Sequence, residues 1–209
     1  MEQKIIVISA MHHRQKTVKF CIDKMPFIEK YMIYSDKSDH TFLTFYTDVA
    51  GCEQVINRPL SYKWNRAIRY LKNIEFDAVI VLGSDDYIDE NFVDFIKNNI
   101  ENYDLISFKD IYFKENDDFF YWPGYIGQRK GEPAGAGKTY SKKFLEVIDY
   151  NLFPLSKNSS LDGMSWKVCK DANAKTLVTS LKDENIFLCD VKDGEGITKL
   201  SSITNITKL

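Results

Sequence analysis

Apolar residues along the chain follow two patterns, one typical of buried strands and one typical of amphipathic helices. Short continuous apolar runs predict strands at 4–10, 30–35, 42–46, 77–83 and 104–108. Apolar residues spaced three and four apart predict helices at 15–25, 60–74 and 89–100. The run at 77–83 shows no polar alternation, which indicates a strand buried on both faces. This alternation of strand and helix predicts an α/β fold, with a mostly parallel (mixed) central sheet flanked by helices.

The second half of the chain has a less regular pattern. Aromatic stretches lie around Tyr112 and Phe120, and a long loop rich in Gly and Pro is predicted over 123–139. Further helices are predicted at 141–150 and 162–172, and strands near 176–179 and 186–190. The last nine residues, 201–209, contain too few apolar positions to predict a packed element. We therefore expect a single domain over 1–200, with 201–209 as a tail or a linker to a further domain.

The composition limits the class of protein. A chain of 209 residues, 44% of them hydrophobic, suits one domain with a full core. A formal net charge of −2 argues against a nucleic-acid-binding surface. The chain enters its first strand without a signal peptide and has no run long enough to span a bilayer, so we expect a cytoplasmic protein. Four cysteines without a CxxC pair, Cys21, Cys52, Cys169 and Cys189, are expected to be reduced thiols.

Polar side chains cluster where three of the predicted strands end. They are Ser9, Met11, His12, His13 and Arg14 after the first strand, Ser35 and Asp36 after the second, and Ser84, Asp85 and Asp86 after 77–83. Ligands of open α/β sheets bind beyond the carboxyl ends of the strands, and parallel strands bring those ends to one edge. The sequence therefore predicts an edge that holds an anionic ligand through basic groups and a metal ion.

The adjacent carboxylates Asp85 and Asp86 repel each other by ~1 to 4 kcal/mol, depending on the local dielectric. A bound cation would relieve this repulsion, and carboxylate oxygens favour Mg²⁺ or Mn²⁺ over zinc. A solvated turn that caps the following helix would also explain the pair. His12 and His13 are adjacent, so in an extended segment they point to opposite faces, which argues against a joint metal site.

The stretch "GEPAGAGKT" at 131–139 is similar to a phosphate-binding P-loop but does not match it. Five residues separate Gly131 from Gly137, where the motif requires four, and the stretch does not follow a buried strand. We predict a glycine loop near a substrate rather than a nucleotide triphosphatase.

The order of these features resembles the GT-A fold of glycosyltransferases, in particular the family 2-like enzymes that use nucleotide-diphosphate sugars. The stretches that carry the resemblance are "VISAMHHR", "YSDKSDHT", "LSYKWNRAI", "VLGSDDYID", "PAGAGKTYSKKFL" and "SLDGMSWKVCKDA". The likeness covers about residues 4 to 172 and extends to the N-terminal modules of chlorella-virus glycosyltransferases, which implies a viral origin. One departure concerns the Asp-x-Asp motif, whose first acid is replaced by Gly83; the ribose contact of that acid would pass to Ser84 or Asp86.

The resemblance implies a metal-dependent hexosyltransferase. It would transfer a hexose or deoxyhexose from a nucleotide-diphosphate sugar, most simply a UDP-sugar, to a glycan hydroxyl. Asp162 occupies the position of the catalytic base, which implies inversion of configuration, although "SSLDG" also fits helix-capping chemistry. The metal ligands for Mn²⁺ or Mg²⁺ would be Asp85, Asp86 and Asp190. The donor-binding residues would be Ser9, Ala10, Met11, Arg14, Asp36, Lys63, Arg66, Ser84 and Asp86.

Several alternatives remain open at the level of sequence. A sugar nucleotidyltransferase also uses an α/β sheet and an acidic pair, but it would carry a Gly-rich loop after the first strand, where "SAMHHRQK" has no glycine. A non-catalytic carbohydrate-binding relative is the other alternative. Asp193 is a further possible metal or phosphate contact, and Trp122, Tyr125 and Trp166 are either sugar-stacking rings or packing residues.

Overall fold

The computed structural model describes residues 3–154, 156–194 and 199–209, and within these ranges it leaves out the side chains of 51 and 52. The strands are β1 (Ile5–Ala10), β2 (Glu29–Tyr34), β3 (Val49–Gln54), β4 (Ala78–Gly83), β5 (Asp86–Ile88), β6 (Leu105–Phe108), β7 (Ile111–Glu115), β8 (Asp118–Trp122), β9 (Lys138–Ser141), β10 (Thr176–Thr179), β11 (Leu188–Lys192) and β12 (Thr207–Lys208). The α-helices are α1 (Gln15–Asp23), α2 (Lys37–Leu43), α3 (Leu60–Tyr70), α4 (Glu90–Asn99), α5 (Lys142–Val147) and α6 (Leu161–Asp171).

Seven strands form the central sheet, in the order β10-β6-β9-β4-β1-β2-β3. The pairs β1–β2, β1–β4, β2–β3 and β6–β10 are parallel, and β9 runs antiparallel to both of its neighbours. This mixed, mostly parallel sheet flanked by helices confirms the predicted fold class and the single domain.

The side chains of β1 alternate between two hydrophobic clusters, one on each face of the central sheet. Ile5 and Val7 pack in a cluster with residues of α1 and α4, whereas Ile6 and Ile8 pack with residues of α3, α5 and α6. Burial on both faces explains why the strand reads as a continuous apolar run. Among the described side chains, Cys21, Cys169 and Cys189 are buried free thiols, as expected, and the side chain of Cys52 lies outside the described residues.

A second, five-stranded sheet has the order β12-β8-β7-β11-β5. It starts directly after β4, because β5 leaves the central sheet and pairs antiparallel with β11. The two aromatic stretches of the sequence form the hairpin β7–β8, and Asn116 at its turn adopts a left-handed φ of 55°. This sheet brings the late strand β11 beside the residues that follow β4.

The strand predicted at 42–46 is wrong. Residues Lys37–Leu43 form α2 instead, and the third strand of the sheet is Val49–Gln54. The Asp36 carboxylate accepts hydrogen bonds from the backbone N–H groups of Ser38 and Asp39 and so caps the helix. In "FLTFY" Leu43 is buried, whereas Phe45 is 79% exposed, which a helix tolerates and a buried strand does not.

Residues 200–209 pack onto the domain, contrary to the expectation that they form no element. Leu200–Ser202 form a short 3₁₀ helix with Leu200 buried, and Ile203 and Ile206 pack against the core. β12 then pairs antiparallel with β8. Their signal in the sequence is weak because an edge strand of two residues requires only backbone hydrogen bonds. No helix in the described part of the chain is long and apolar enough to cross a membrane.

Candidate functional site

The polar ends of β1, β2 and β4 lie at one edge of the central sheet, as the sequence predicts. Ala10 at the end of β1 is in register with Gly83 at the end of β4. The Met11 N–H donates to the Ile33 carbonyl of β2 at 2.7 Å, which holds the loop after β1 against the second strand. The parallel arrangement therefore places the loop after β1, which carries Arg14, beside the carboxylates that follow β4.

Three carboxylates meet at this edge, and we call Asp85, Asp86 and Asp190 the carboxylate cluster. Asp86 on β5 lies directly opposite Asp190 on β11. The Gly83 N–H donates to Asp86 Oδ2 at 2.6 Å, and Lys192 Nζ donates to Asp190 Oδ2 at 2.5 Å. Asp190 Oδ1 is buried without a hydrogen-bond partner among the described residues. The late Asp190 is thus brought beside the pair that follows β4.

The cluster holds more negative charge than its surroundings neutralise. Burial raises the pKa of Asp86 well above its ordinary value of 3.8, and the charges of Asp190 and Asp85 raise it further. Burial, together with the charge of Asp85, raises the pKa of Asp190 to about 6. Such raised carboxyl pKa values are typical of sites that bind a cation or a proton.

Arg14 lies beside the cluster, where its guanidinium group is already paired with carboxylates of the chain rather than left for a ligand. Its Nη1 donates to Asp85 Oδ2 at 2.9 Å, and its Nε and Nη2 donate to the two oxygens of Asp193 at 2.9 and 2.7 Å. Thr17 also donates to Asp193. Burial acts to lower the pKa of Arg14, but the two carboxylates outweigh it and the pKa is raised. Arg14 therefore neutralises part of the acidic charge.

Gly83 stands where the Asp-x-Asp motif has its first acid, and the carboxylates occupy the space of the missing side chain. A Cβ on Gly83 would lie 2.6 Å from Asp85 Oδ1 and 2.9 Å from Asp86 Oδ2. A larger residue at this position would require both carboxylates to shift. The departure from the motif thus has a local steric reason.

A cavity of about 550 Å³ joins the carboxylate cluster to the predicted base. Asp85, Asp86 and Asp190 line one part of it, and Asp162 lines another. The rings of Trp122 and Tyr125 also line it and stand perpendicular, with centroids 4.8 Å apart. Trp166 is not among the lining residues and packs partly buried against the core, as its alternative reading held.

Asp162 is the second residue of α6 and does not cap it. The N-cap is Ser160, which has a left-handed φ of 59° and makes no side-chain cap bond. Buried Lys138 on β9 donates from Nζ to the Asp162 backbone carbonyl at 2.6 Å and to Ser165 Oγ at 3.1 Å. The carboxylate itself lies against Gly135, where an added Cβ would overlap it. Both contacts fix the start of α6 and leave the acid facing the cavity.

The P-loop-like stretch lies along the cavity and does not have the structure of a P-loop. Gly135 and Ala136 line the cavity, which agrees with a glycine loop near a substrate. Lys138, the lysine of "GKT", is buried in β9, where burial lowers its pKa. A strand rather than a helix begins at this point, so the phosphate cradle of a P-loop is not formed.

The remaining predicted donor-binding residues do not line the cavity. Ser9 and Met11 are buried, and Ser84 lies in the turn after β4. Lys63, which the resemblance places among the donor-binding residues, is a buried cation held by the chain itself. Lys63 is 1% exposed, donates to the Met11 carbonyl and to Ser35 Oγ, and has a pKa lowered to about 8 by burial.

Arg66 and Asp36 are held by other parts of the chain. Arg66 pairs with Glu53 on β3. Asp36 caps α2, and hydrogen bonds from Ser38 and Asp39 lower its pKa.

His12 and His13 do not diverge as the sequence suggests. Their ring centroids lie 4.1 Å apart, because His13 leaves the extended conformation with a φ of 57°. Burial, and then the charge of His13, lower the pKa of His12. Their Nδ1 atoms lie 3.8 and 3.3 Å from Asp36 Oδ2, respectively.

Sequence reasoning missed part of the site. Ser202, Ile203 and Thr204 contribute a wall of the cavity, and Lys192 and Lys138 line it as buried cations. A signal existed for Lys192, which follows Asp190 by two residues and so shares its face of the strand. The wall formed by 202–204 has no comparable signal.

Replacing Gly135 with alanine should displace the Asp162 carboxylate. We expect Gly135→Ala to lower the rate of any reaction that uses Asp162 by ~100-fold, because a displacement of about 1 Å is sufficient for such a loss. The free energy of unfolding should change by less than ~1 kcal/mol, since Asp162 is exposed and can rotate.

Gly163→Ala is the matched control. The Cβ of an alanine there would meet no atom within 4 Å, and alanine is a better helix former than glycine inside α6, so the variant should be more stable by up to ~1 kcal/mol and keep its rate. Initial rates and urea unfolding of both variants check this. Equal rates for Gly135→Ala and the wild type would contradict the assigned contact.

No family model matches the chain, and no curated protein matches it. Solved structures of Staphylococcus aureus TarS share its fold. TarS 1–349 in complex with UDP-GlcNAc has a TM-score of 0.61 at 17% identity, over 96% of this chain and 61% of that one. The same fragment in complex with UDP gives a TM-score of 0.59 at 17% identity, over 90% and 60% of the two chains. TarS without a stated ligand gives 0.60 at 17% identity, over 92% and 37%.

The match covers 61% of the TarS fragment, so the chain spans about three fifths of the length of that protein fragment. At this identity the comparison shows a shared GT-A-like fold. The structures named above are from S. aureus, and they do not support the viral origin that the sequence resemblance implies.

Proposed function

We propose that the protein is a metal-dependent glycosyltransferase that uses a nucleotide-diphosphate sugar. The observation that carries the proposal is the cavity in which the carboxylate cluster and Asp162 face a common space. A cation site and a separate acid beside one cavity are the two parts that glycosyl transfer needs. Solved TarS structures with this fold contain UDP-GlcNAc or UDP, which supports a UDP-sugar as the donor.

The ligand chemistry of the cluster suits Mn²⁺ or Mg²⁺. It offers oxygen ligands only, and the buried Asp190 Oδ1 has no other hydrogen-bond partner among the described residues. Asp85, Asp86 and Asp190 would hold the ion, with Asp85 in the motif's ligand position. When bound, the ion supplies Lewis-acid stabilisation of the leaving diphosphate.

Asp162 is proposed as the general base. Its carboxylate lines the cavity, and its helix start is held by Lys138, so it can accept the proton of an acceptor hydroxyl at a fixed place. A single displacement with this base would invert the configuration at the transferred carbon.

The aromatic wall suits a sugar ring. Trp122 and Tyr125 line the cavity with their rings perpendicular, and Arg129 Cζ lies 3.6 Å from the centre of the Tyr125 ring, which holds that ring in place. We propose a hexose or deoxyhexose donor group and a glycan hydroxyl as acceptor.

Binding of a nucleotide sugar tests the proposal directly. A ligand that binds only the native state raises its stability, by about 2.7 kcal/mol at a hundredfold excess over Kd. We expect UDP-sugars with Mn²⁺ to raise the unfolding temperature of the protein, and GDP- and TDP-sugars to raise it less. An unchanged unfolding temperature with every nucleotide sugar, with and without Mn²⁺, would overturn the assignment.

A further inference from the structure

A compact group of four potential metal ligands lies beside α2, outside the cavity. Its members are His12, His13, Asp36 and Asp39, and their ligand atoms all lie within 4.8 Å of one another. Among the described residues, no other group of three or more His, Cys, Asp and Glu side chains brings its ligand atoms this close together. The group mixes imidazole nitrogen with carboxylate oxygen, whereas the carboxylate cluster offers oxygen alone.

The geometry of the group is close to what a tetrahedral ion requires. Ligands about 2.0 Å from zinc lie roughly 3.3 Å from one another in a tetrahedron. His13 Nδ1 is 3.3 Å from Asp36 Oδ2, and His12 Nδ1 is 3.8 Å from the same oxygen. The remaining ligand atoms lie no more than 4.8 Å from one another, so a bound ion would draw them closer together.

Asp36 Oδ2 provides a second observation that points to a ligand. Asp36 Oδ1 receives hydrogen bonds from Ser38 and Asp39, but Oδ2 is buried without a hydrogen-bond partner among the described residues. It is the oxygen that both imidazoles face. Capping of α2 therefore uses one oxygen of the carboxylate and leaves the other directed at the group.

The backbone fixes the group in place. The His13 N–H donates to both oxygens of buried Asp39, at 3.1 and 3.3 Å, and the left-handed backbone of His13 turns its ring beside that of His12. Lys63 is a cation close enough to affect His12, but its Nζ is directed at the Met11 carbonyl and at Ser35 Oγ. The side chains of His12 and His13 are 40% and 62% exposed, so an ion can reach them.

We propose that His12, His13, Asp36 and Asp39 form a second metal site, which takes a transition-metal ion of the zinc class. Imidazole ligands select Zn²⁺, Co²⁺ or Ni²⁺ over the hard ions that the carboxylate cluster suits. The site is separate from the carboxylate cluster, so it does not depend on whether the cavity transfers sugar.

A calorimetric titration of the protein with Zn²⁺, which measures affinity and the number of ions bound, tests the site. The wild type should bind one Zn²⁺ here, and Co²⁺ should give the visible absorption of a four-coordinate N/O site. His12→Ala should lower the affinity at least ~10-fold and the His12→Ala/His13→Ala double variant more, because loss of a ligand exceeds the 10- to 100-fold effect of losing its supporting contact. Both side chains are partly exposed, so the fold should survive, as the unfolding temperature verifies.

His40→Ala is the matched control, because it removes the third histidine of the chain, on α2, and should leave Zn²⁺ affinity unchanged. Asp86→Asn should also bind Zn²⁺ as the wild type does. Undiminished Zn²⁺ affinity in the double variant, or loss of Zn²⁺ binding in Asp86→Asn, would overturn the site.

Discussion

Asp162→Asn should abolish transfer while the protein still binds its donor. A positioned general base contributes ~10²- to 10⁴-fold to a rate, and asparagine keeps the shape of aspartate but cannot accept the proton. We expect the transfer rate to fall by at least ~100-fold. The rise in unfolding temperature caused by a UDP-sugar with Mn²⁺ should persist, because the carboxylate cluster is untouched. Initial transfer rates and thermal unfolding measure the two effects.

Asp171→Asn provides the control for this variant. Asp171 ends the same helix, and its exposed carboxylate pairs with Lys167 four residues earlier. The change should leave the transfer rate unaltered and shift stability by less than ~0.5 kcal/mol. Wild-type rates in Asp162→Asn would remove Asp162 from the mechanism, and loss of donor binding in that variant would place it in the donor site instead.

Asp86→Asn should have opposite effects on the stability of the free protein and on its binding of Mn²⁺. Asp86 is 5% exposed and lies beside Asp190 and Asp85, so burial and like charges raise its pKa. A raised folded-state pKa gives stability that is present below the ordinary value of 3.8 and is lost as the pH rises through the folded-state pKa. Asparagine avoids this loss, so at neutral pH the variant should be as stable as the wild type or more stable.

The Mn²⁺-dependent part of donor binding should disappear in the same variant. A stabilisation of ~2.7 kcal/mol at a hundredfold excess over Kd would fall close to zero. Asp94→Asn, on the exposed face of α4, is the control and should keep the full Mn²⁺ effect. Urea unfolding from pH 4 to 8, with and without Mn²⁺, measures both. A destabilised variant that keeps its Mn²⁺ response would contradict the role of Asp86.

The edge of the central sheet was predictable because its signals are local. A continuous apolar run followed by acids fixes where β4 ends, and parallel pairing then places Asp85 beside the loop after β1. The helix that begins near Asp162 was also predicted, and the family resemblance placed Asp162 at its start. The direction of the Asp162 carboxylate toward the cavity was not predictable, because that depends on Lys138 and Gly135, which are distant in sequence.

The features that were missed depend on backbone conformation and on edge pairing. His12 and His13 come together through a left-handed φ at His13, which is uncommon for a non-glycine residue and has no pattern in the sequence. α2 was missed because "FLTFY" is apolar enough to suggest a strand, while the Asp36 cap that starts the helix lies outside it. Both errors arose where a single turn outweighed the average preference of a stretch.

The short strand β12 and the preceding 202–204 wall tie the far end of the described chain to the cavity. A shortened protein that stops before residue 199 would lose this wall of the cavity and leave β8 with an unprotected edge. Unprotected edges recruit other strands, so such shortened proteins would be prone to self-association. Affinity tags are therefore better attached at the other end, so that Thr207 and Lys208 keep their pairing with β8.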